Sequence, residues 1–131
     1  MTLNDRFHRL FPKVVPVGEP CLVHIVPLYG HVLPPEGAVP SAEVVGRDTR
    51  VRRPADVAIA APGLAVGFTP DCEQEMARIV TWRRGAETVR RDEFHVYAVQ
   101  RDLLPLRPWK GDVHMHSSAS DGREAPAYVA A

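Results

Sequence analysis

The chain has 131 residues, 45% of them hydrophobic, and its 16 basic and 16 acidic side chains leave no net charge with histidine neutral. That length suits one domain, or one domain with an appendage, and zero net charge excludes a global pull toward nucleic acid or anionic membrane. No apolar stretch approaches the roughly 20 residues of a membrane span, and MTLNDRFHRLF lacks the basic head and apolar run of a signal peptide, so a cytoplasmic protein is expected.

Thirteen prolines and nine glycines cut most segments to strand length, leaving only the two ends free to be helical. At the start, Leu3, Phe7, Leu10 and Phe11 fall near one helical face, which predicts a short helix or turn stopped by Pro12. KVVPVGEPCLVHIVPL reads as strand, turn and strand, with Cys21, Val23 and Ile25 on one face and Leu22, His24 and Val26 on the other. A proline-rich connection, YGHVLPPEGAVPSA, follows. Next come short apolar strands broken at Pro54, at Pro62-Gly63 and at Pro70. Asp71, Glu73 and Glu75 open the next strand as an acidic, solvated entry; weak calcium binding is the alternative. The clearest hairpin has arms near Glu75–Trp82 and Phe94–Val99, with Gly85 and charged residues between them. RDLLPLRP is an extended exit, pinned by Pro105 and Pro108. Cys21 and Cys72 make no CxxC and no zinc spacing, so reduced structural thiols are expected.

Turn signals every ten or so residues predict a mainly β unit, an antiparallel, immunoglobulin-like β-sandwich over about residues 12–104. Its core candidates are Val23, Ile25, Val80, Phe94 and Val96. The sequence character changes at Pro108, so residues 1–108 form the accessory domain and 109–131 begin something else, in β-loop-α order.

The chemistry lies in that second part, WKGDVHMHSSASDGREAPAYVAA. Read as a strand, it puts Asp112, His114 and His116 on one face, with Val113 and Met115 on the other. Residues two apart on a strand lie roughly 6–7 Å apart at Cα. Two imidazoles so placed converge on one divalent ion at about 2.0–2.1 Å. Asp112 either binds the metal or orients an imidazole. Asp121-Gly122 suits a tight turn that returns a carboxylate to the strand end. In REAPAYVAA, Pro126 sits in what reads as the first turn of a helix.

Asp112, His114, His116, Ser120, Asp121 and Gly122 match the pattern D-hydrophobic-H-x-H-S/T-x-x-S-D-G, and on these residues the segment 110–131 resembles the opening of a PHP-family (polymerase and histidinol phosphatase) domain. The resemblance implies a divalent metal (zinc, manganese or iron) held by His114 and His116, with Asp121 a further candidate ligand and Asp112 supporting the site. It implies a distorted (β/α) barrel that hydrolyses phosphoesters. Such a barrel takes about 200 residues or more, and only 20 follow Gly111. The expectation is therefore an accessory domain joined to the first β-loop-α piece of an incomplete PHP barrel. Its partner would be the remainder of that barrel. This piece should bind metal weakly or not at all and be inactive as an enzyme, a phosphoester being the substrate only of a complete protein.

A binding module without catalysis is the alternative. Arg83, Arg84, Arg90 and Arg91 beside Trp82 are the residue types that hold single-stranded nucleic acid. Asp48, Glu87, Asp92 and Glu93, interspersed with or beside the arginines, favour a solvated charged hairpin instead. A protein partner is the other form of this alternative: a module that packs on its own barrel should expose an apolar patch. His8, His24, His31 and His95 read as surface or structural histidines.

Overall fold

A computed structural model describes residues 2–3, 7–30 and 36–106. Among them nine strands form in chain order: β1 (Thr2–Leu3), β2 (His8–Phe11), β3 (Val14–Pro16), β4 (Cys21–Pro27), β5 (Val39–Gly46), β6 (Arg52–Ala60), β7 (Gly63–Phe68), β8 (Gln74–Arg84) and β9 (Glu87–Val99). One 3-10 turn, Arg101–Leu103, follows, and no α-helix occurs among the described residues. The start of the chain pairs as strands where helical spacing predicted a helix or turn. His8 and Leu10 are buried and Arg9 and Phe11 exposed, which is the period of a strand.

The mainly β expectation holds. The strands make one continuous sheet in the order β1-β9-β8-β5-β6-β7-β4-β2, with β3 also on β9. This is a nearly closed sheet where two facing sheets were expected. Its two ends are brought together by one stretch of chain. β2 runs antiparallel to β4, while β3, two residues later, runs parallel to β9. The Tyr97 amide donates to the Lys13 carbonyl at 3.0 Å, and the Val17 amide donates to the Val99 carbonyl at 2.9 Å, extending the β3–β9 ladder at both ends. Closure of this kind removes most of the open edge that an isolated sheet would present.

β6 passes the sheet from β5 to β7. Its first half pairs with β5 and its second half with β7. Pro54 does not break it, contrary to the sequence reading: pairing with β7 starts only at Asp56, so Pro54 sits where one neighbour is still absent. β8 and β9 form the longest hairpin, joined at Gly85-Ala86, where Gly85 has φ +60°. Both arms run further toward the turn than predicted.

The core lies inside the curve. Val15, Val23, Ile25, Val66, Val80, Trp82, Phe94 and Val96 are fully sealed from solvent, so all five predicted core residues are in place. The face assignment of β4 also holds, with Val23 and Ile25 in and Leu22 and His24 out. Two charged residues join this core. Arg78 is fully buried with its guanidinium 4.3 Å from the centroid of the Phe68 ring. Asp92 accepts from the Trp82 indole at 2.9 Å and from Arg90 Nε at 2.8 Å.

Candidate functional site

His114, His116, Asp121 and Asp112 lie outside the described residues, as does the whole segment 109–131 expected to open a PHP barrel. Among the described residues, no group of three or more His, Cys, Asp or Glu side chains is arranged to hold a metal ion. Asp71, Glu73 and Glu75 go separate ways: Asp71 to Arg53, Glu73 to the Gln100 amide, Glu75 toward Arg47 and His95. His8 is buried edge-on to Phe94, with ring centroids 5.3 Å apart. His24 is exposed. His95 is packed among charges, its Nε2 2.8 Å from Glu93 and 3.2 Å from Arg47.

The arginine-rich hairpin divides between the two faces of the sheet. Trp82 points inward with Met76, Arg78 and Val80, so its ring offers no face to a base. Arg90, the cross-strand neighbour of Trp82, is tied to Asp92. Arg84 donates to the Glu36 carbonyl at 2.7 Å. Arg83 and Arg91 instead reach the outer face. There they join Arg52 and Arg53, from the chain's other arginine-rich stretch, and Ser41, Glu43 and Thr88, which sequence reading left unmarked.

That outer face carries a groove of about 580 Å³ across β5, β6, β8 and β9. Pairing register builds it row by row. Arg83 lies opposite Thr88; Ser41, Thr81 and Arg91 form the next row; Pro54, Glu43 and Ile79 form the third. Ile79 is its floor, only 4% exposed although it faces away from the core. One carboxylate oxygen of Glu43 accepts from Arg52 at 2.8 Å and from Arg91 at 3.1 Å. Arg53, at the rim, is paired with Asp71 at 2.8 Å. The lining holds four guanidiniums, three hydroxyls and one carboxylate. Simple alternation along β8 would have grouped Thr81 with Arg83; the contributions of β5 and β6 needed the long-range pairing.

Neither thiol is activated. The Cys21 thiol donates to the Phe68 carbonyl at 3.2 Å, and burial pushes its pKa up, partly offset by the nearby Arg78 charge. Cys72 is likewise raised, by desolvation and then by the Asp71 carboxylate beside it. A raised pKa suppresses the thiolate that nucleophilic chemistry needs.

At the exit from β9, Leu103, Leu104 and Leu106 are all exposed and border a second concavity of about 420 Å³ with Val14 and Val99. Among the described residues no helix is long and apolar enough to cross a membrane. No protein-family model and no curated protein matches the chain.

Proposed function

We propose that the β-barrel is an accessory domain and that residues 112–122 supply the first metal-binding motif of a PHP-type, metal-dependent phosphoesterase. The observation that carries this reading is the eleven-residue string DVHMHSSASDG. His114 and His116 would hold the ion, Asp121 would complete the set, and Asp112 would orient an imidazole. Two imidazoles and a carboxylate are a donor set suited to a divalent ion such as zinc, manganese or iron. Bound there, the ion would lower the pKa of a water and stabilise developing negative charge on a phosphoryl oxygen. Asp112, if hydrogen-bonded to one of these histidines, would fix that ring's tautomer and orientation.

The apolar exit supports the accessory role. Three exposed leucines in the last four described residues are more than a finished surface needs, and they stand where the chain passes toward the motif. A domain built after Leu106 would have this surface to pack against.

The test is hydrolysis of p-nitrophenyl phosphate with added manganese, using the protein as encoded, together with any sequence that follows Ala131. Turnover abolished by His114→Ala supports the reading. Turnover indifferent to both His114→Ala and His116→Ala rejects it.

A further inference from the structure

The outer groove has the features of a site for a small oxyanion. Its position is unusual for apolar burial: Ile79 faces outward, yet charged and hydroxylated side chains rise around it and cover it. Its volume of about 580 Å³ falls within the roughly 300–1,000 Å³ of small-molecule sites. Four guanidiniums line it against the one carboxylate of Glu43. Glu93, next on the same face, is turned away to His95 and Arg47.

Glu43 makes the cluster more than a solvated charge run. It binds Arg52 and Arg91 through a single oxygen, at 2.8 and 3.1 Å. Each guanidinium has five N–H donors; the bonds to Glu43 steer these two side chains while most of their donors remain available. Arg83 forms no ion pair among the described residues and stands at the far end of the groove, beside Thr88. The arrangement is a pair of pre-positioned arginines, a third with its charge uncompensated, and hydroxyls of Thr81 and Thr88 between them. Arginine forks match the paired oxygens of phosphate, and hydroxyls satisfy those left over.

We propose that this groove binds a small phosphorylated ligand, its phosphate held by Arg83 and Arg91 and its less polar part lying over Ile79 and Pro54. The residues invoked all lie on β5, β6, β8 and β9, and this binding does not depend on metal at residues 112–122.

Inorganic pyrophosphate is the probe, titrated calorimetrically into the full chain at about 0.1 M salt, where surface charges more than about 10 Å apart are largely screened. Saturable one-to-one binding is expected, weakened at least tenfold by Arg83→Ala and by Arg91→Ala. Arg83→Lys, which keeps the charge and loses the fork, should retain part of the affinity. Arg9→Ala, on the exposed side of β2 and outside the groove, should leave it unchanged. All three substituted side chains are exposed, and far-UV circular dichroism verifies that each variant is folded. Absence of saturable binding overturns the proposal, as does equal weakening by Arg9→Ala. Citrate binding as tightly as pyrophosphate would overturn the choice of phosphate. A single-stranded oligonucleotide binding more tightly as it lengthens would overturn the small-ligand assignment in favour of nucleic acid.

Discussion

The indole N–H of Trp82 donates to the carboxylate of Asp92 at 2.9 Å, and both side chains are sealed inside the barrel. The pair is diagonal across the β8–β9 hairpin, since Asp92 lies opposite Val80 and Trp82 opposite Arg90. Arg90 closes the arrangement from the side, donating to the same carboxylate at 2.8 Å. The bond fixes the depth at which the largest core side chain is seated.

Asp92→Ala should therefore destabilise the fold by about 2–3 kcal/mol, because it strands a buried indole donor and removes a carboxylate acceptor of Arg90. Asp92→Asn, which keeps an acceptor, should cost clearly less. Urea denaturation followed by circular dichroism measures both. Equal losses for the two variants would mean that the hydrogen bond is not what holds Trp82.

Two glycines in β7 should respond to the same substitution with very different losses. A Cβ on Gly63 would overlap the backbone carbonyl oxygen of Ile25 in β4, and neither strand can retreat without breaking pairing. Gly63→Ala should cost about 3 kcal/mol or more, at the upper end of overpacking penalties. A Cβ on Gly67 meets Asp56 Cβ and Leu22 Cδ1 at 3.7 Å and the Cys21 carbonyl oxygen at 4.0 Å, all ordinary contact. Gly67→Ala should change stability by less than about 1 kcal/mol. The difference in midpoint temperature between the two variants checks this.

The inward-facing pattern was legible in the sequence and the closure was not. Alternation alone placed Val23, Ile25, Val80, Phe94 and Val96 in the core. Had the same rule been followed two positions on from Val80, it would have put Trp82 inside as well; the arginines around it drew attention to the wrong face. Helical spacing of Phe7, Leu10 and Phe11 outweighed the strand alternation of His8 and Leu10, because a four-residue strand is too short to declare a period. Which strands pair is a long-range property that no local pattern records. The split of residues 8–16 between β4 and β9, and the four-strand groove around Glu43, both belong to that class. The proposed motif at residues 112–122 lies outside the described residues and rests on something other than periodicity, namely particular side chains at particular spacings.

The thiols give a prediction in pH. The pKa of Cys21 is raised in the fold, chiefly by burial. An unfolded cysteine loses its proton near pH 8.5, before the folded one does. Deprotonation therefore favours the unfolded chain: the contribution is intact below that pH and declines as pH rises toward the folded value. In Cys72→Ser, alkylation of Cys21 by iodoacetamide at pH 8 should be much slower than that of free cysteine, and stability should fall on the alkaline side. Alkylation as fast as for free cysteine would contradict the half-buried, hydrogen-bonded placement of Cys21.

Cobalt(II) titration of the purified chain decides whether residues 112–122 form a metal-binding motif, because the visible absorption of cobalt reports its ligands. Weak, saturable, one-to-one binding is expected, abolished by His114→Ala and by His116→Ala and unaffected by His24→Ala on the exposed face of β4. A titration that neither His114→Ala nor His116→Ala alters would contradict it.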